Sequence, residues 1–150
     1  MGRIFCVFFV LLSLPLLAPA PAMGQQAGMI GSQDDPDVGF RLEQNYPNPF
    51  NPATRVPFEL LEDVFVEGRP ATVSIRIYNI LLQYVASPTA LNHPQGDRTT
   101  VIDLEYTSPG RYEAYWDGLD RSGRRVASGV YILEMTVNGR SRNIKMFVSN

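Results

Sequence analysis

The chain has 150 residues, of which 45% are hydrophobic and 19% charged, and its formal net charge is −2. This length suits one domain of ordinary size, and the apolar fraction is enough to build a core. No block of basic residues occurs, so nucleic acid and anionic membranes are poor candidates as partners.

Residues 1–24 have the pattern of a secretory signal peptide. Arg3 gives a positive start, residues 4–17 are apolar, and residues 22–24 (Ala-Met-Gly) offer the small side chains that a signal peptidase reads. The apolar run is shorter than the ~20 residues of a membrane span, although an uncleaved anchor is the alternative. We therefore predict export through the inner membrane and no transmembrane segment after cleavage. Cleavage would remove Cys6, the only cysteine, and with it any disulfide or thiol chemistry.

Residues 25–39 are rich in Gly, Gln and Asp, which predicts a flexible linker before a domain over residues 40–150. The domain opens on NYPNPFNP at 45–52, here called the entry motif. Its prolines exclude a helix or a central strand. We predict a stiff, extended segment with two aromatic anchors. The residues of this structural motif are Tyr46, Pro47, Asn48, Pro49, Phe50, Asn51 and Pro52.

The rest of the domain alternates apolar and polar residues. The alternation begins at residues 40–42, and further candidate strands cover residues 54–60, 71–78, 100–105, 111–117, 130–137 and 142–148. Asn138-Gly139 predicts a type I′ turn between the last two, because both positions tolerate positive φ angles. Short strands without a helical period predict an all-β fold, an immunoglobulin-like antiparallel β-sandwich of about seven strands. Residues 86–99 hold two prolines and the only histidine, which predicts a long surface loop.

Residues 116–123 (WDGLDRSG) allow two interpretations. Asp117, Asp120 and Ser122 could offer oxygen ligands to calcium, but the spacing is not that of an EF-hand loop. The alternative is a tight turn in which Asp side chains bond their own backbone and Gly118 supplies an unusual φ angle. Trp116 would then be a buried anchor. We favour the turn and expect no metal or cofactor.

Catalysis has no support in the sequence. Ser87 and Asp97 are near His93, but this loop composition indicates mobility rather than the rigid support that a catalytic site needs. The carboxylates are scattered, and no phosphate loop, HExxH or GxSxG motif is present. We expect a protein that is not an enzyme and has no small-molecule substrate.

Three segments carry a family resemblance: FRLEQNYPNPFNPATRVPFEL at 40–60, YWDGLDRSGRRVASGVYILEM at 115–135 and RNIKMFVSN at 142–150. They resemble the C-terminal sorting domains of the bacterial type IX secretion system. That family is similar to the immunoglobulin-like domain of the flagellar hook-capping protein. The resemblance implies an immunoglobulin-like fold and a structural Trp-Asp-Gly turn.

The resemblance also implies a route and partners. The domain would pass through the periplasm to the outer-membrane surface or the medium. The type IX outer-membrane machinery would recognise it, and the sortase of that system is a further candidate partner. The implied recognition residues are Gly129, Tyr131, Arg142, Lys145 and Val148. A departure from the family pattern is Leu82, which stands where a glycine is usual.

The terminal strand suggests how recognition would work. On this hypothesis Arg142 and Lys145 point outward, while Ile144, Met146 and Val148 hold the strand to the core. A partner could then add a strand at this edge, although charge on an edge strand also protects against aggregation.

Two other functions remain open at this point. One is a structural assembly module like the domain of the hook-capping protein. The other is a small secreted adhesin or carbohydrate-binding domain that uses loop 86–99 with Tyr78, Tyr84 and Tyr106.

Overall fold

The computed structural model describes residues 39–149, which form nine β-strands and two short 3-10 turns. The strands are β1 (Phe40–Leu42), β2 (Thr54–Leu60), β3 (Ala71–Asn79), β4 (Tyr84–Ala86), β5 (Thr89–Leu91), β6 (Leu104–Tyr106), β7 (Gly110–Trp116), β8 (Gly129–Val137) and β9 (Arg140–Val148), with the 3-10 turns at Glu62–Val64 and Val66–Gly68. The signal peptide predicted at 1–24 and the linker predicted at 25–39, except for Gly39, lie outside the described residues. Among the described residues there is no helix with the length and hydrophobicity of a membrane span.

The strands build two antiparallel sheets. Sheet A has the order β1-β2-β7-β5, and sheet B has the order β4-β3-β8-β9, with β6 also paired to β3. The prediction of an antiparallel β-sandwich is confirmed, with nine strands instead of about seven. The two additional strands, β4 and β5, have three residues each, too few to show a periodic pattern in the sequence.

The core lies on the inward positions that alternation predicts. On β2 the buried side chains include Val56 and Phe58, and on β3 they include Val73 and Ile75. These positions are fully buried because successive residues of a strand point to opposite faces. The alternation therefore fixes both which side of each sheet faces the core and the register of the long strands.

The turn between β8 and β9 is the one that the sequence predicts. Asn138 and Gly139 have φ angles of +48° and +84°. The Asn138 side chain also accepts from the Thr72 backbone N–H at 2.9 Å and donates to the Val64 carbonyl at 2.8 Å. We call β8, this turn and β9 the C-terminal hairpin.

The prediction of a surface loop at 86–99 is wrong for much of that segment. It contains β5, and His93 is buried. The Nδ1 atom of His93 accepts from the Gln95 backbone N–H at 3.1 Å, so Nε2 carries the proton and donates to the Glu105 carbonyl at 3.0 Å. The ring packs edge-on against Tyr106, with 4.7 Å between centroids. His93 thus joins two segments of the core, which loop composition could not indicate.

The strand expected at 100–105 is displaced along the chain. The structure begins β6 at Leu104, and the residues before it form bends. Ser74 explains the shift, because its hydroxyl donates to the Asp103 carboxylate at 2.9 Å and accepts from the Asp103 N–H at 2.8 Å. These bonds take the place of a strand ladder next to the middle of β3.

Candidate functional site

The entry motif buries one of its two aromatic residues. Phe50 is 1% exposed, whereas Tyr46 is 76% exposed. The expectation that Tyr46 anchors the domain is therefore wrong. The segment is also not one extended run, because bends separate two isolated bridges. The peptide bonds before Pro47, Pro49 and Pro52 are cis.

A buried polar pair shapes the start of this motif. The Asn45 amide donates to the Thr54 hydroxyl at 3.0 Å and to the Pro47 carbonyl at 3.1 Å, and the Thr54 hydroxyl donates to the same carbonyl at 2.9 Å. Both side chains are nearly inaccessible to solvent. Sequence reasoning missed this pair. Thr54 has the inward parity of Val56 and Phe58, which is the signal that would have revealed it.

Phe50 bonds the entry motif to the last strand. Its backbone N–H donates to the Phe147 carbonyl at 2.9 Å, and its own carbonyl accepts from the Ser149 N–H at 3.0 Å. Phe50 and Val148 form a parallel bridge. The entry motif and the last strand of the domain are thus neighbours, although about a hundred residues separate them.

Two side chains extend this contact along the outer edge of β9. The Asn48 Oδ1 atom accepts from the Phe147 backbone N–H at 2.9 Å, and the Gln44 side-chain amide donates to the Lys145 backbone carbonyl at 2.9 Å. Backbone groups at 145 and 147 of β9, and at 149 just beyond it, are therefore already bonded within the chain on the side that faces away from β8. The far end of the edge strand is closed to simple strand addition.

An aromatic row links three of the sequence motifs. Phe50 packs edge-on against Trp116 with 5.4 Å between ring centroids, and Trp116 packs against Tyr131 at 5.8 Å. The Trp116 indole donates to the Leu119 carbonyl and the Tyr131 hydroxyl donates to the Ala127 carbonyl, both at 2.9 Å. Burial raises the pKa of Tyr131. The prediction that Trp116 is a buried anchor is confirmed.

The Trp-Asp-Gly turn lies directly against the entry motif. Gly118 has a φ angle of +76°, and a Cβ atom there would stand 2.1 Å from the Pro52 carbonyl oxygen. Asp117 accepts from the Leu119 N–H at 3.0 Å. This Asx-type bond is the one expected of a tight turn.

Asp120 organises the second half of the turn. Its Oδ1 atom accepts from the backbone N–H of Ser122 at 2.8 Å and of Arg124 at 3.0 Å, and the Ser122 hydroxyl also donates to it. The Ser122 hydroxyl, followed by the Arg124 backbone, lowers the pKa of Asp120 to about 2. The turn interpretation is confirmed. Residues 39–149 contain no group of three or more His, Cys, Asp or Glu side chains placed to hold a metal ion.

The proposed recognition residues divide between the two faces of the hairpin. Tyr131 and Val148 are buried against the core, and Gly129 is exposed where it pairs with Val148. Lys145 is exposed, as expected. Their side chains do not form one cluster, so a single partner surface would reach mainly the outward set.

The prediction that Arg142 points outward is wrong. Arg142 is half-buried, because it shares the inward parity of Ile144 and Met146. Its guanidinium carbon lies 5.9 Å from the centroid of the Phe40 ring, within range of a cation–π contact. The charge thus lies at the junction between the two sheets.

The outward face of the hairpin includes Phe147, which sequence reasoning missed, and Asn143, which it placed outward but did not count as a recognition residue. Asn143 and Phe147 have the same parity as Lys145, and Phe147 is 44% exposed. Across the ladder, Lys145 is opposite Ile132 and Phe147 is opposite Val130. This outer face combines one cation with exposed apolar surface.

The three tyrosines considered for carbohydrate binding differ in burial. Tyr106 is buried against Phe58 and Tyr112, with ring centroids 5.7 and 4.6 Å away, and this burial, together with Tyr112, raises its pKa. Tyr106 therefore cannot line a surface site. Tyr78 and Tyr84 remain partly exposed, and their rings pack edge-on with 6.2 Å between centroids.

Comparisons with known proteins give one weak likeness to report. No family model and no curated protein matches the sequence. Among solved structures, the crystal structure of dimeric latent PorU from Porphyromonas gingivalis is similar over 73% of this chain, with 19% identity and a TM-score of 0.48. The match covers 9% of that protein's chain. A likeness at this level carries no argument about function.

Proposed function

We propose that residues 40–150 form a non-catalytic sorting-type domain. The chain would be exported through the inner membrane and then recognised at the outer membrane by the type IX secretion machinery, with the sortase of that system as a further partner. The observation that carries this proposal is the contact between the entry motif and β9. Two segments that carry the family resemblance are bonded to each other through Phe50, Phe147 and Ser149. The resemblance therefore rests on residues that the fold uses together.

The geometry favours recognition of the hairpin's outer face over pairing at its edge. Strand addition next to Phe147 would have to displace Asn48 and Phe50 from the backbone groups that they occupy. Asn143, Lys145 and Phe147 are accessible without any such change. An exposed aromatic residue such as Phe147 is of the type enriched in protein interfaces, and the charge of Lys145 beside it can contribute to the selection of a partner. The domain's own residues would do no chemistry in this mechanism.

A reporter-transfer assay tests the proposal. Residues 25–150 are fused behind a signal peptide and a fluorescent reporter, and the reporter is located in a bacterium with an intact type IX system. We expect surface or medium fluorescence that disappears in a strain without the translocon. A folded domain whose reporter stays in the periplasm would instead favour a binding or assembly module.

Point variants connect the assay to the hairpin face. Lys145→Glu combined with Phe147→Ser alters only outward side chains, so the domain should still fold while the reporter stays in the periplasm. Glu105→Lys is the matched control, because it reverses an exposed charge on β6 and leaves the hairpin intact. Deleting residues 142–150 should also abolish transfer. Normal surface fluorescence from both the double variant and the deletion would refute the proposal.

A further inference from the structure

The turn between β3 and β4 exposes three adjacent aliphatic side chains. Ile80, Leu81 and Leu82 are 68%, 72% and 69% accessible, and we call them the apolar tip. Single exposed apolar residues are ordinary on a protein surface, but a contiguous group at the end of a hairpin indicates an interaction site.

The backbone holds this tip rigidly in an outward position. The Asn79 side-chain oxygen accepts from the Leu81 N–H at 2.9 Å and from the Gln83 N–H at 3.0 Å. The Leu82 N–H donates to the Asn79 carbonyl at 2.9 Å. These bonds fix a tight turn, so the three side chains cannot fold back onto the core.

Stability does not explain the residue at position 82. Leu82 has a φ angle of +58°, a conformation that disfavours branched side chains and that glycine adopts freely. A leucine in this conformation, with most of its surface in water, contributes little to the fold. Its side chain is better explained by contact with something outside the domain.

A group of arginines lies beside the tip. The segment 120–125, which we call the arginine turn, contains Arg121, Arg124 and Arg125, all exposed, against the single acidic residue Asp120. The Arg121 N–H donates to the Val85 carbonyl at 3.0 Å, which ties this turn to β4.

The two features meet at one surface. A groove of about 670 Å³ is lined both by Asn79 and Gln83, the base of the tip, and by the three arginines. The Arg121 guanidinium carbon lies 6.0 Å from the centroid of the Tyr84 ring. The fold therefore places the projecting apolar tip beside a local excess of positive charge. Neither the tip nor the arginine turn shows this combination by itself.

From this juxtaposition we infer that this end of the domain docks on an anionic lipid surface. The apolar tip would enter the boundary between headgroups and acyl chains, and the arginines would contact lipid phosphates. A projecting tip suits a bilayer, which deforms around it, better than it suits a flat protein surface. Guanidinium groups bond phosphate in a bidentate manner, and tyrosine is favoured at membrane interfaces.

The inference goes beyond the proposed sorting function and does not depend on it. Stable interfacial binding needs an apolar contact and an electrostatic one together. The sequence contains no continuous basic block, so an anionic membrane is a poor candidate from the sequence alone. In the structure, the arginine turn lies next to the apolar tip, although about forty residues separate the two segments along the chain.

A local probe of the full chain tests the inference. A polarity-sensitive fluorophore is attached at Leu81→Cys in a Cys6→Ser background, because Cys6 is the only native thiol. The control carries the same fluorophore at Glu67→Cys, in the loop at the opposite end of sheet B. Both proteins are mixed with neutral phosphatidylcholine vesicles and with vesicles containing about one third phosphatidylglycerol. Since both carry the same residues 1–38, a difference between them reports on the tip.

We expect a blue shift and brightening of the probe at 81 on anionic vesicles only, and no change at 67. Arg121→Glu with Arg125→Glu should weaken the apparent affinity at least about tenfold, and added salt should weaken it in the wild type. Leu82→Gly should melt no lower than the wild type yet bind about three- to tenfold less tightly, since it removes apolar area while relieving the φ angle.

Three outcomes would overturn the inference. An unchanged probe at 81 on both vesicle types would exclude membrane contact by the tip. An equal response on neutral and anionic vesicles would remove the role of the arginines. A shift that appears without vesicles and grows with protein concentration would assign the tip to contact between two copies of the chain.

Discussion

Replacing Gly118 by alanine tests whether the Trp-Asp-Gly turn holds the entry motif in place. The new methyl group would stand 2.1 Å from the Pro52 carbonyl oxygen, so backbone on one side must move by more than 1 Å to reach an ordinary contact. Pro52 is two residues from Phe50, whose backbone bonds to β9. The substitution therefore tests the contact between the entry motif and β9, on which the proposed function rests.

The magnitude follows from two contributions. A side chain at a φ angle of +76° is disfavoured by about 1–2 kcal/mol. Forcing extra volume into a packed site adds about 1–3 kcal/mol, so the total loss in the free energy of unfolding should be about 2–5 kcal/mol. Gly139→Ala is the matched control. Its φ angle is +84° with no atom within 4 Å of the new methyl group, so it should lose only the first contribution, about 1–2 kcal/mol.

Urea denaturation of the wild type and both variants measures the difference. The slopes should agree, because all three proteins expose the same surface on unfolding, and only the midpoints should move. Losses for Gly118→Ala and Gly139→Ala within about 0.5 kcal/mol of each other would refute the reasoning, since the close approach to Pro52 would then contribute nothing.

Three further perturbations probe the same cluster. Trp116→Ala should lower the free energy of unfolding by about 3–5 kcal/mol, because the side chain is 2% exposed and packs in the aromatic row; thermal or urea melts measure this. Asn48→Ala should cost about 1 kcal/mol and speed hydrogen exchange of the Phe147 amide, whose acceptor it removes. The pKa of Asp120 falls from 3.8 to about 2 on folding, so its stabilising contribution is complete above the unfolded value and is lost as the pH falls through the folded one. Asp120→Asn should therefore flatten the acid limb of the stability curve over that interval.

Each of these expectations has an outcome that contradicts it. A loss below about 1 kcal/mol for Trp116→Ala would mean that the site collapses around the cavity. Unchanged exchange at Phe147 would show that Asn48 does not cover the edge. Identical acid curves for the wild type and Asp120→Asn would remove the carboxylate from the pH dependence.

Local patterns account for the strands that dominate the fold. β2, β3, β8 and β9 each carry three or four apolar residues at alternate positions, and the Asn-Gly pair fixes the terminal turn. The sandwich follows from these signals alone. β4 and β5 could not be predicted, because three residues give no period, and only their pairing with longer strands makes them strands.

Some features of the candidate site follow from the local sequence pattern, and others depend on contacts between distant segments. The parity of Arg142 with Ile144 was present in the sequence and indicates its inward position, although a charged residue rarely takes one. Which of the two aromatic residues, Tyr46 or Phe50, is buried could not be predicted from the sequence. It depends on Trp116 and β9, which only the assembled fold brings to that position.

The entry motif and β9 belong to opposite ends of the domain, so the contact between them makes synthesis order matter. The residues that leave the ribosome first, near Phe50, obtain their final partners only when Phe147 and Ser149 have also emerged. Chains with many such distant pairings fold slowly. A chain truncated inside β9 would leave Leu133 and Met135 without their neighbours on that strand and should remain open to proteases. Completion of β9 thus becomes a condition for folding, and only chains that contain the whole strand would acquire protease resistance.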